Sequence, residues 1–404
     1  MRPNGLHRAA LVPLALLGLL ALFTGCSKTK DADKPKQLVP FSASLRVTRA
    51  WSASVGGTKK PLRLGLDLVV EGDRVYAAGH TGDVAAFDLG TGRRIWAHRE
   101  KAALSGGPGA SRAMVVVGSN AGDVFALRAA DGTPLWHANI AGEILSAAAI
   151  TPRLVVVRAV DGKLHALAAT DGHELWQVQQ PVPSLSLRGT SQPTVVGDFA
   201  ICGFDNGKVI AANLTDGSSA WEQVIAPPHG SNEIARLNDV DATPRIDGND
   251  VYVAQFQGKV AMLALDSGQV WWSHEMSSYR GMAIDNDALY VATADGQVIA
   301  MHRNNGLEMW RQKALLHRQL SAPAVSDNAI AVADFQGYVH FLDPKTGALI
   351  GRIRTGKHPI NTTPVAAGGL LLVIDDTGKI SALRPTPLAT PRLANRDGGV
   401  KGGK

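Results

Sequence analysis

The chain has 404 residues, 45% of them hydrophobic and 19% charged, with 43 glycines; that apolar content excludes a disordered chain, a coiled coil or a collagen-like polymer and leaves a folded globular protein. Lys+Arg 41 against Asp+Glu 35 gives a net charge of +6, but +2 of it lies in residues 1–25, +2 in residues 27–40 and +3 in residues 385–404, which leaves −1 for the body. A near-neutral body has no broad cationic field for a phosphate backbone, so nucleic-acid binding is excluded.

Arg2, His7 and Arg8 precede an apolar run from Ala9 to Phe23 that ends at Thr24-Gly25-Cys26. The run is too short to span a bilayer and reads as a signal peptide over residues 1–25. Small residues followed by Cys resemble a bacterial lipobox, with Phe23 in the slot where Leu is usual. That resemblance implies acylation of the Cys26 thiol, and Ser27 rather than Asp after it implies sorting to the outer membrane. The protein is then expected on the periplasmic side of the cell outer membrane, with the lipid anchor as its only membrane contact. Residues 26–44 are polar and Lys-rich, contain Pro35 and Pro40, and read as the lipidated N-terminus and a flexible tether.

Residues 45–384 carry a repeat. Gly-x-(Val/Leu/Ile)-x-Ala-Leu begins at Gly82, Gly122, Gly162, Gly207, Gly258, Gly296, Gly337 and Gly378, and a second glycine follows ten residues later at Gly92, Gly132, Gly172, Gly217, Gly268, Gly306 and Gly347. Four residues beyond that stand Trp96, Trp136, Trp176, Trp221, Trp272 and Trp310, with Gly351 in the seventh slot. The alternation between the glycines fits a strand, and the Asp-Gly, Asn-Gly and Thr-Gly pairs supply hairpin turns. With a preceding strand such as Val251-Tyr252-Val253-Ala254, each unit of about 42 residues describes one four-stranded blade. The expected fold is all-β, an eight-bladed β-propeller of four antiparallel strands per blade. The eighth unit has no Trp, and Trp51 in Val47-Thr48-Arg49-Ala50-Trp51 has no blade; the N-terminal strand is therefore expected to close the ring and cover its open edge. Cys202, within Phe199-Ala200-Ile201-Cys202, reads as a small buried hydrophobe, and with Cys26 acylated no intramolecular disulfide is available. Residues 385–404 read as a disordered basic tail.

These blades resemble the repeats of pyrroloquinoline-quinone dehydrogenases and equally those of the BamB family, lipoproteins of the outer-membrane β-barrel assembly machinery. The quinoprotein enzymes use a vicinal Cys pair and a carboxylate and amide set around Ca²⁺, whereas the two cysteines here, Cys26 and Cys202, are far apart. No His-Glu-x-x-His, Walker or Gly-x-Ser-x-Gly motif is present. His229 and Glu233, spaced by four, lack a third ligand and read as a solvated loop. No catalytic residue, cofactor or metal is expected.

The connections between blades carry the rest of the resemblance. From the Trp slot to the Pro opening the next blade is 12 residues at Trp96–Pro108 and 13 at Trp310–Pro323, but 17 at Trp176–Pro193 and 23 at Trp221–Pro244. Both long segments leave corresponding strands, so they are expected side by side on one face, where insertions often form a binding surface. The first reads Ser184-Leu185-Ser186-Leu187-Arg188-Gly189, and the second contains Arg236-Leu237-Asn238-Asp239-Val240-Asp241. Both resemble BamB-family loops. The resemblance implies that Leu185, Leu187, Arg188, Asp239 and Asp241 contact the POTRA domains of the barrel-inserting protein BamA, and through it the other assembly-complex lipoproteins; unfolded outer-membrane protein clients are further candidate partners. From the residues alone, alternation puts Leu185 and Leu187 on one side of an extended loop, either as exposed anchors or tucked beneath it. Asp239 and Asp241 either meet cations, of the partner or of Arg188, or cap the loop through backbone N–H groups. Arg236-Leu237 is expected in a short helical turn. The expected function is a non-enzymatic scaffold that assists insertion of outer-membrane proteins. The alternatives are a quinoprotein enzyme, or a generic periplasmic propeller that accepts client strands at its blade edges.

Overall fold

The computed structural model describes residues 34–56, 65–187, 191–227, 231–234 and 236–388. Two compact units are distinguished, Met1–Pro35 and Lys36–Lys404; the described part of the first is limited to Lys34 and Pro35.

The repeat produces blades as the glycine spacing requires. Blade 5 shows the pattern in full: strands Arg245–Asp247, Asp250–Ala254, Lys259–Ala264 and Val270–Glu275 pair antiparallel in sequence order. The two middle strands are buried almost throughout, while the outer strand buries chiefly Trp272, because middle strands have a sheet on both faces and read as continuous apolar runs. Blades 1–4, 6 and 7 repeat this order from Leu68–Glu71 to Leu349–Arg354. Strand direction alternates within a blade. Every connection to the next blade therefore shares one face of the ring with the turns between second and third strands.

Blade 8 is built from both ends of the chain. Val365–Ala367, Leu370–Ile374 and Lys379–Pro387 take Leu45–Ser54 as their outer strand, in register from Leu45↔Pro387 to Ser54↔Lys379. The ring is thus closed by the N-terminal strand. Pairing continues past residue 384, where the basic tail was expected to begin. From Arg384 onward the strand has a partner on one side alone, a position that tolerates Pro385 and Pro387.

The tryptophans join the blades. The indole N–H of Trp51 donates to the carbonyl of Leu89 in blade 1 at 2.9 Å, that of Trp96 to Ala129 in blade 2 at 3.0 Å, and so on to Trp310 and Pro344 in blade 7 at 2.8 Å. Each ring lies on the second glycine of the next blade. A Cβ on Gly92 would sit 2.4 Å from the Trp51 ring, and Gly92 also holds φ +70. At the joint without Trp, Gly351 leaves room for Leu45 and Val47 of the closing strand.

Two features depart from the sequence reading. Residues 36–44, expected as part of a free tether, lie against blades 6 and 7: Lys36 N–H donates to the Leu316 carbonyl at 3.0 Å and Ser44 N–H to the Ile350 carbonyl at 3.1 Å, while Leu38 packs into the core between these blades. Two residues, Gly65–Leu66, add a parallel fifth strand to the inner edge of blade 2. Asp67, the next residue, and the innermost strands line the central channel, about 980 Å³ in volume.

Candidate docking surface

The long connections leaving blades 3 and 4 do run side by side. Ser184 Oγ donates to Glu233 Oε2 at 2.8 Å, Leu187 N–H donates to the Asp239 carboxylate, Ser191 Oγ donates to the Ala242 carbonyl at 3.4 Å, and Thr194 Oγ1 donates to the Pro244 carbonyl at 3.2 Å. The second connection is pinned onto the turns beneath it. Val240 N–H donates to the Phe204 carbonyl at 3.2 Å and Phe256 N–H to the Asp239 carbonyl at 2.9 Å, and Gln255 Nε2 donates to the Asn238 carbonyl at 2.6 Å. Val240 fills the space over Gly203 that a Cβ would occupy. A buried apolar residue between two acidic ones thus sets which way both carboxylates turn.

The five expected residues fall in different places. Leu185 is 42% exposed and Leu187 half-buried, so the strict alternation that would put both on one side does not hold. Arg188 lies outside the described residues, as does His229. Asp239 is fully buried: its carboxylate holds the backbone of the first connection rather than facing solvent. Asp241 is partly exposed. Arg236 N–H reaches the Asn232 carbonyl at 3.1 Å, one turn of helical bonding with Leu237 facing inward, though no helix forms among the described residues.

Sequence reasoning missed three participants. Ile234 is 67% exposed beside Glu233, and a lone branched apolar residue in a polar loop was the signal available. Asp205 and Arg158 were invisible, because one reads as an ordinary turn residue and the other as a strand end. Their pairing, Arg158 Nη2 to Asp205 Oδ1 at 3.2 Å, joins residues 47 apart, with the guanidinium 4.4 Å from the Phe204 ring centre. Burial pushes the Asp239 carboxyl up to about 7, against the Leu187 N–H bond and with the help of Asp205. Asp241 is raised well above the carboxylate range, first by burial, then by Asp239 and Asp205, with Arg158 opposing. Asp205 is itself raised by burial against Arg158. Among the described residues, Oδ1 of Asp239 and Oδ1 of Asp241 have no hydrogen-bond partner. Asp205 and Asp241 therefore share Arg158 among the described residues, and burial favours the protonated, uncharged form of all three acids.

No group of three or more His, Cys, Asp or Glu residues among those described could hold a metal ion. Burial pushes the Cys202 thiol up to about 12, so it stays a protonated core residue. Both long connections and this charge arrangement sit on a propeller that comparison places in one family: the pattern described as outer membrane protein assembly factor BamB matches residues 30–99 and 80–312. The chain belongs to the BamB family. It is 45% identical to the BamB of Pseudomonas aeruginosa over 91% of this chain and 97% of that protein, and 36% identical to that of Escherichia coli over 92% and 98%. The crystal structure of BamB from Moraxella catarrhalis superposes with a TM-score of 0.77 at 26% identity, covering 84% of this chain and 100% of that one. Quinohemoprotein alcohol dehydrogenase from Comamonas testosteroni, at 13% identity and a TM-score of 0.66 over 83% of this chain and 76% of its own, shares the fold alone. The family's members are named as assembly factors, not enzymes.

Proposed function

We propose that the protein is a non-enzymatic outer membrane protein assembly factor, a lipoprotein anchored through Cys26 on the periplasmic side, that docks on the POTRA domains of BamA with the paired connections of blades 3 and 4. Family membership supports the assembly role and sets aside the quinoprotein alternative. The docking reading is carried by one observation: two over-long connections are tied to each other by Leu187 N–H and Asp239 and hold exposed apolar side chains, Leu185 and Ile234, beside the exposed Glu233. Apolar anchors ringed by polar groups are where binding energy concentrates. In this arrangement Leu185 and Arg188 meet the partner, half-buried Leu187 supports the connection, and Asp241 gives up its proton as it pairs with a cation of the partner or of Arg188. Asp239 acts one step back by holding the loop.

Co-purification from a Gram-negative envelope tests this. BamA should be the dominant partner of the intact protein, and Leu185→Ala with Arg188→Ala should release it while the propeller stays folded. Retention of BamA by the folded double variant would sink the docking reading and leave family membership untouched. Anchoring is tested apart from docking: Cys26→Ser should move the protein to the soluble periplasm, and continued membrane fractionation in a strain lacking BamA would refute the lipid anchor.

A further inference from the structure

The docking surface leaves a second group of charges unused. Around blade 7, where the segment 36–44 crosses, cations are bound by carbonyls and rings instead of carboxylates. Arg318, 3% exposed, bonds the Asp334 carboxylate at 2.7 Å and the carbonyl of Lys36 at 3.1 Å. Arg352 donates to the Val39 carbonyl at 3.3 Å and lies 4.9 Å from the Phe41 ring centre. Lys36 Nζ donates to the Lys313 carbonyl at 3.2 Å, Arg354 lies 5.0 Å from the Tyr338 ring centre, and Arg49 and Lys379 share the Thr355 carbonyl at 2.8 and 3.0 Å. Among the described residues, Asp334 is the one carboxylate paired with any of these side chains, and it is buried between Arg318 and His340. Carbonyls and aromatic rings orient a cation without neutralising it. Lys36, Arg49, Lys313, Arg354 and Lys357 are exposed and outnumber the carboxylates beside them, Glu308 near Lys313 and Asp375 near Gly356, so the corner projects positive charge from a body that is near neutral as a whole.

We infer that this corner is a contact surface for anionic lipid headgroups. Its charge complements lipid phosphates, which Arg and Lys bind through charge-assisted hydrogen bonds. Its position agrees: Cys26 and Lys36 are ten residues apart, a separation that spans at most about 35 Å, so an anchor at Cys26 holds Lys36 within that distance of the bilayer. A lipid chain joined to a basic patch is the pairing that gives stable peripheral attachment. The inference rests on the anchoring half of the function proposed above and not on the docking half.

The test uses residues 26–404 with Cys26→Ser, which keep the compact unit Lys36–Lys404 whole, in co-sedimentation with vesicles and with no BamA present. Binding is expected to vesicles of phosphatidylcholine mixed with phosphatidylglycerol, to be lost at high salt, and to be absent with phosphatidylcholine alone. Lys313→Glu, Arg354→Glu and Lys357→Glu together should weaken it on the order of a hundredfold, at about fivefold for each cation. The same net change at Arg93, Arg94 and Arg153, exposed on the opposite face, should leave it intact. Equal binding to neutral vesicles, no binding to anionic ones, or equal loss in both triple variants overturns the inference. A chain that binds anionic vesicles yet fails to capture BamA would instead count against docking alone.

Discussion

At Asp239 a carboxylate with the right charge to meet a partner is spent on holding the neighbouring connection in place. Its proton is kept up to about 7 in the folded chain and lost near the ordinary value of about 3.9 in the unfolded one. The stability contributed by the protonated form is therefore complete below about pH 4 and lost as pH rises through 7. Asp205 adds to this rise and the Leu187 N–H bond opposes it, with burial dominant. Asp239→Asn keeps an acceptor for Leu187 N–H but has no proton to release. Its melting temperature should gain on that of the native chain between about pH 5 and 8, by the equivalent of roughly 2–3 kcal/mol; a difference constant with pH would rule out a raised Asp239. The two leucines separate in another way. Leu185→Ala should change folding stability by no more than about 0.5 kcal/mol while weakening BamA binding about thirtyfold or more, whereas Leu187→Ala, half-buried, should lower both. The sequence alone left Leu185 and Leu187 open between anchor and core, because alternation assumes a strand, and a loop tied by Asp239 does not alternate.

Between blades, the joint of Trp and glycine does the work that a disulfide could not in a chain with two cysteines. Gly72 and Gly92 both hold positive φ, at +63 and +70, but a Cβ on Gly72 meets nothing within 4 Å while one on Gly92 runs into Trp51. Gly72→Ala should cost about 1 kcal/mol, from backbone strain alone. Gly92→Ala should cost more, by roughly 1–3 kcal/mol, for the displaced ring; equal melting of the two variants would show that the ring does not depend on that glycine. This joint was legible because its parts recur at fixed spacing: the ten-residue glycine step, the Trp four residues on, and the stray Trp51 that fitted a vacant slot. The segment 36–44 was not legible. Its partners are backbone carbonyls, which every sequence has, and its anchors Arg318 and Arg352 lie 282 and 313 residues away from the groups they bind. A polar, proline-containing run cannot announce that it will be held by arginines from another part of the chain.

Across the whole molecule, closure by the first strand makes the ring depend on both termini. Removing residues 45–55 would strip blade 8 of its outer strand and the blade 8–1 joint of Trp51, and should produce aggregation and a markedly lower melting temperature through an open sheet edge; an unchanged melt would contradict closure. Within that ring the connections to the next blade all emerge on one face, and lengthening two neighbouring ones exposes Leu185 and Ile234 there with no change to the scaffold. The same architecture in a quinohemoprotein dehydrogenase shows that the fold does not choose the function. In the proposed docking the connections of blades 3 and 4 bind BamA while the ring merely presents them. Titration of the purified POTRA domains of BamA with the mature protein tests it most directly, comparing the native chain with Leu185→Ala/Arg188→Ala at matched melting temperature. Saturable binding is expected of the native chain, with a loss of about thirtyfold or more in the variant; equal affinity for the two proteins would overturn the docking role.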